Sequence, residues 1–177
     1  MIRPLQYAIY KGTGGKHGCL QFNLQRPHFY KDKTRDFAMV APGQALDETG
    51  RIREGWQARE GAIFMEITST KDKNVYDWDN KIVMALSVND MGKLLETLVT
   101  GTELKLMHYP GAKSETAGVV KKYLTVSSPK GIKEGCLFMA SQTSGGETKT
   151  HMVPVAPSEV YILRSLINAA IAKSLAW

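Results

Sequence analysis

A chain of 177 residues with 43% hydrophobic side chains can bury a core of its own, and no apolar run in it reaches the length of a membrane span. Twenty-three Lys and Arg against seventeen Asp and Glu leave a net charge of +6, which favours a polyanionic partner. The two cysteines, Cys19 and Cys136, lie too far apart for a CxxC motif and sit in strand-like runs as small buried hydrophobes.

In chain order, residues 5–12 (LQYAIYKG) and 17–24 (HGCLQFNL) read as two strands joined by a glycine-rich turn. The strand pattern begins almost at the first residue and leaves no visible targeting segment. The expected location is therefore intracellular, cytoplasmic in a bacterial or viral setting, or mitochondrial or plastid for a mature form. The Gly-Lys pair in the turn raises the question of a bound nucleotide. A P-loop needs a glycine, four residues, then Gly-Lys-Ser/Thr. Here Gly15-Lys16 is followed by His17, and the required earlier glycine is Tyr10. The G-x-G-x-x-G pattern fails at the same histidine, and the residues after it alternate like a strand instead of opening a helix.

Residues 26–61 are charged and broken by Pro27, Pro42, Gly43, Gly50 and Gly55, and read as a long irregular excursion with a short strand at 36–41. Strand signals return at 62–69 and 75–86. Asn89 is a plausible N-cap for a first helix with Met91, Leu94, Leu95 and Leu98 on one stripe, ended by Gly101. Strands follow at 102–109, 118–127, 135–142 and 147–155, separated by turn chemistry. Ser158 can cap the last helix, whose face carries Val160, Leu163, Ile167, Ala170, Ile171 and Ser174. Ile162, Leu166, Ala169 and Leu175 make a second side apolar. Either the same helix of another copy covers it, or the helix sinks between two sheets. The order is four strands, a helix, four strands, a helix.

Catalytic signals are sparse. His17, His28, His108 and His151 form no HxH or HxxxH pair, and no G-x-S-x-G elbow occurs. Asp79-Asn80-Lys81 fits the D-x-K half of a metal-dependent nuclease site, with Glu66 as a second carboxylate; the alternative is solvent-facing charge on a strand rim. Binding leaves a broader trace. Alternation puts Lys105 and Tyr109 on one face of their strand and Lys121 and Tyr123 on one face of the next. As a hairpin, these strands present two lysines and two tyrosines together, which is what a single-strand platform needs: ammonium groups for phosphates and rings for unpaired bases. Ordinary cross-strand packing of the tyrosines is the competing reading. Tyr76 and Trp78 alternate onto one face with Ile82 and Met84, in a core or at a stacking site.

With these elements in place, the chain resembles the Whirly family of single-stranded-DNA-binding proteins. The resemblance rests on EGAIFMEITSTKDKNVYDWDNKIVMALSVNDMGKLL, residues 60–95, through Tyr76-Asp77-Trp78, Lys81, Leu86-Ser87 and Gly92. It continues through His108, Pro110, Gly118 and Lys121 to the closing strand and helix, ending Ala176-Trp177. The family's Lys-Gly-Lys-Ala-Ala-Leu signature, used in higher assembly of its tetramers, is matched at Tyr10-Lys11-Gly12 and Gly18-Cys19-Leu20, with residues 13–17 inserted.

The resemblance implies an α+β fold over residues 1–177 as one nucleic-acid-binding domain, with two four-stranded antiparallel sheets packed crosswise and helices between. It further implies a homotetramer built on the helices, chiefly 158–176, and single-stranded DNA along the sheets, with little sequence specificity, in replication, repair or recombination, or transcription. A kinetoplastid guide-RNA-binding group shares the fold and keeps RNA open as partner. Lys11, Lys16, Lys81, Lys105, Lys121 and Lys122 are the expected phosphate contacts. Tyr10, Phe22, Tyr76, Trp78, Tyr109 and Tyr123 are the expected stacking or pocket-walling rings. No catalysis, cofactor or metal is expected.

Overall fold

Alternation of buried and exposed side chains builds two antiparallel sheets, which the computed structural model describes over residues 6–12, 18–31, 45–109 and 120–175. The strands are β1 (Gln6–Tyr10), β2 (Gly18–Gln25), β3 (His28–Lys31), β4 (Trp56–Arg59), β5 (Ala62–Asp72), β6 (Val75–Tyr76) and β7 (Ile82–Leu86). Helix α1 (Val88–Thr100) follows, then β8 (Leu104–His108), β9 (Val120–Ser127), β10 (Cys136–Ser144), β11 (Glu147–Val155) and helix α2 (Pro157–Ser174). The first sheet has the order β1-β2-β5, with β6 and β7 sharing the far side of β5; the second has the order β11-β10-β9-β8.

Two features of the first half differ from the expectation. The strand read at 75–86 is two strands interrupted by a 3-10 turn at Trp78–Asn80. Asp77 holds that turn, its carboxylate accepting from Asn80 Nδ2 at 2.8 Å, while its backbone is tied to β5 through Ser69 O. The excursion at 26–61 contains a hairpin of its own, β3 with β4, pairing His28 with Arg59 and Lys31 with Trp56. The strand expected at 36–41 and the turn after Tyr109 lie outside the described residues.

Register explains the core. Across the first sheet, Ile9, Leu20, Ile67 and Ile82 stand in one row; Tyr7, Phe22, Met65 and Met84 form the next; Leu24, Ile63 and Leu86 form a third. Leu104, Leu106, Leu124, Val126, Phe138, Ala140, Val153 and Val155 answer them from the second sheet. Each fully buried aliphatic or aromatic side chain contributes about 1.5–3 kcal/mol. Phe22 meets Phe138 edge to face, with centroids 6.0 Å apart.

The helices complete this core. Ser87, not Asn89, caps α1: its hydroxyl accepts from Asp90 N, and the Asp90 carboxylate returns the bond to Ser87 N. Ser158 does not cap α2. Pro157 occupies its first position, where no donor is required, and Glu159 reaches back to accept from Ala156 N at 2.7 Å. The stripe Val160, Leu163, Ile167, Ala170 and Ser174 is buried, whereas Tyr161 and Ile162 stand exposed on the second side of α2.

Candidate nucleic-acid interface

On β8 and β9 alternation does what the sequence leads one to expect. Lys105, Tyr109, Lys121 and Tyr123 all stand on the exposed outer face of the second sheet, opposite the buried Leu106, Leu124 and Val126. The pairing extends this face across four strands. Lys105, Thr125, Met139 and Met152 form one cross-strand row, and Met107, Tyr123, Ser141 and Thr150 form the next. Lys121 continues through Thr143 to Thr148, whose hydroxyls lie 2.8 Å apart. The tyrosine at 109 donates to the Met107 sulfur at 3.0 Å. Lys105 is held by Glu103 at 3.0 Å. The face thus carries rings and thioethers between ammonium groups.

A second cluster lies where the first hairpin meets the YDW turn. Tyr10 and Tyr76 tilt against each other at 5.3 Å, Tyr76 and Trp78 at 6.3 Å, and the Lys81 ammonium stands 5.9 Å from the Trp78 ring. Both lysines of this cluster already have acidic partners: Lys81 with Glu66 at 2.9 Å, and Lys11 with Glu159 at 2.7 Å. Close approach of backbones shapes the hairpin base. A Cβ at Gly12 would land on the Asn74 side chain, and one at Gly18 on the Thr68 carbonyl. Those two glycines of the opening stretch serve packing. Lys16 and the rest of residues 13–17 lie outside the described residues.

Two predicted contacts are placed differently from their partners. Phe22 does not face a ligand: it is 1% exposed and packed between Tyr7 and Met65, because nearly the whole of β2 from Gly18 to Phe22 is buried. Lys122 points away from Lys121. It lies on the inner side in a row with His108, Gln142 and Lys149. There it donates to the Val83 carbonyl at 2.7 Å, and burial, with Lys149 nearby, pulls its pKa down.

This inner row is a contact between sheets that sequence reasoning missed. Lys149 donates to Lys81 O at 3.3 Å, and His151 bridges Asn80 O at 2.8 Å and the Ser69 hydroxyl at 2.7 Å. The segment from Asn80 to Val83, which leads into β7, thus has three of its carbonyls met by side chains of β9 and β11. Alternation on β11 already turned Lys149 and His151 inward with Val153; their partners needed the tertiary fold. Lys122, His108 and Tyr109 line the groove that opens beside Val83 and Ala85.

The nuclease arrangement is not assembled. Glu66 is paired with Lys81, whereas Asp79 is exposed beside Lys71, and among the described residues no three His, Cys, Asp or Glu are grouped to hold a metal. Burial pushes the Cys19 and Cys136 thiols up to about 12, leaving both without thiolate character.

Similarity to known proteins coincides with these elements. The chain resembles the structure of WHY3 from Arabidopsis thaliana with a TM-score of 0.76 and 21% identity, covering 100% of this chain and 92% of that one. WHY1 from Arabidopsis thaliana aligns at a TM-score of 0.75 and 22% identity over 100% of this chain and 88% of its own. The plant transcriptional regulator PBF-2 aligns at 0.72 and 22%, over 100% of this chain and 85% of its own. In sequence, the chain is 27% identical over 141 residues to the single-stranded DNA-binding protein WHY2, mitochondrial, of Arabidopsis thaliana, 78% of this chain and 57% of that protein's length. The family model described as Whirly transcription factor matches residues 29–166, a span that runs from β3 through the whole second sheet into the first half of α2. The chain belongs to the Whirly family.

Proposed function

We propose that this protein binds single-stranded DNA with little sequence specificity, as one binding domain without catalysis. The observation that carries the reading is the outer face of the second sheet. Lys105 and Lys121 share it with Tyr109 and Tyr123, all four exposed. Lysines neutralise phosphates whatever the base, and ring faces stack on any unpaired base; in a duplex the bases are already stacked. The Tyr10, Tyr76 and Trp78 rings, with Lys11 and Lys81, supply a second contact zone once the phosphate competes with Glu159 and Glu66. The name of the WHY2 relative supports DNA as the polymer and a mitochondrial location.

Salt titration of binding to single-stranded, duplex and RNA oligonucleotides tests this. Affinity should fall with salt and rank single-stranded DNA first. A preference for duplex refutes the proposal, and a preference for RNA moves it to RNA of the same single-stranded chemistry. Incubation with magnesium should leave the oligonucleotides uncut. Self-association as a homotetramer through the exposed second side of α2, around Tyr161 and Ile162, accompanies the proposal. A monomeric mass in solution refutes that part. Service in transcription, replication or repair would be separated by loss-of-function phenotypes.

A further inference from the structure

The six methionines among the described residues divide into two sets. Met65, Met84 and Met91 are sealed in the core, whereas Met107, Met139 and Met152 are 51%, 36% and 47% exposed. All three exposed methionines lie on the outer face of the second sheet. Met139 and Met152 are direct cross-strand partners, and Met107 is the partner of Tyr123. The solvated face of an antiparallel sheet ordinarily carries polar side chains. Thioethers there are soft, polarisable surface that moulds to flat groups of varied shape, and they share the face with the rings proposed to stack on bases.

We infer that Met107, Met139 and Met152 are an oxidation site that weakens nucleic-acid binding, an inference that rests on the outer face being the binding face. A peroxide supplies the oxidant. The thioether sulfur attacks one peroxide oxygen and the O–O bond breaks. The sulfur becomes a sulfoxide while hydrogen peroxide is reduced to water. No thiol is needed, and the three core methionines are shielded from the same reagent by burial. Each sulfoxide replaces apolar contact area by a strongly hydrated dipole, at Met107 directly beside Tyr109 and Tyr123 and at Met139 and Met152 in the next row of the same face. The lysines keep their charge, so the change removes base contact and leaves phosphate contact intact.

The test treats the full chain with hydrogen peroxide, maps sulfoxides by peptide mass, and measures affinity for a single-stranded oligonucleotide across a salt series. Among the six described methionines, sulfoxide should form first at 107, 139 and 152. Affinity should then fall about tenfold with the salt slope unchanged, since stacking and not ion release is lost. Methionine sulfoxide reductases should restore binding. The variant carrying Met107→Leu, Met139→Leu and Met152→Leu should show no further loss of affinity after peroxide, each sample being compared with its own untreated protein. Met139→Leu alone serves if the triple variant does not fold, and it should lose less affinity than the parent. Undiminished binding by the oxidised parent, oxidation beginning at the core methionines, or an equal loss in the leucine variants would overturn the inference. Failure of the untreated protein to bind would instead defeat the single-strand reading, while the peptide map still decides whether these methionines are the oxidised ones.

Discussion

Replacing Tyr123 by alanine separates stacking from charge. The ring is 38% exposed, with Met107 beside it on β8 and Ser141 on β10, so one surface is offered to one base. A base stacked on an aromatic side chain is worth about 1–3 kcal/mol, so Tyr123→Ala should weaken binding about 5- to 150-fold. The salt slope should not move, because no phosphate contact is removed. Tyr123→Phe keeps the ring and should stay close to the parent. Lys121→Met supplies the opposite signature, a slope lower by about 0.7 with a smaller loss at high salt. Fluorescence anisotropy of a labelled single-stranded oligonucleotide at several salt concentrations reads both quantities. Circular dichroism confirms that each variant is folded. Parent-like affinity for a folded Tyr123→Ala would show that this ring packs only against its neighbours, and the argument for the outer face would lose its centre.

Glu159 both caps α2 through Ala156 N and anchors Lys11, so Glu159→Ala should lower stability by about 1–2 kcal/mol in urea unfolding; an unchanged midpoint would contradict the dual role. Gly18→Ala drives a methyl group into the Thr68 carbonyl and should cost about 1–3 kcal/mol as β2 and β5 separate, measured the same way. Hydrogen bonds from Asn80, and then Lys71, hold the Asp77 carboxyl below the usual carboxylate range. A depressed carboxyl stabilises the fold above its unfolded value near about pH 4 and loses that contribution as pH falls through the folded value. Asp77→Asn should therefore flatten the acid side of the stability profile, and a profile as steep as the parent's would exclude this turn as a source of acid sensitivity.

The parts legible in the sequence are those governed by short-range period. Strict alternation on β8 and β9 separated Lys105, Tyr109, Lys121 and Tyr123 from the leucines without reference to anything distant. The stripe on α2 was readable for the same reason. Phe22 was misplaced because β2 is buried on successive residues, Gly18 through Leu20, so its side was decided by pairing with Met65 on β5. The break at Trp78 was hidden because Asp77 and Asn80 make a local bond that competes with the strand, and residue type alone does not say which wins. At α1 two capping residues lay two apart, and Ser87 prevailed by having Asp90 at the right offset to return its bond. The methionines of the outer face come together only when its four strands are laid side by side.

The row of cations against β7 bears on how copies of this protein behave when packed closely. A strand at the rim of a sheet offers bare backbone groups to any extended segment that drifts past, and that is how sheets of neighbouring molecules zip into fibres. Here Lys122 and Lys149 occupy the Val83 and Lys81 carbonyls from inside the same chain. With those two carbonyls already bonded, this part of the β7 edge offers less to a passing strand of a neighbouring copy.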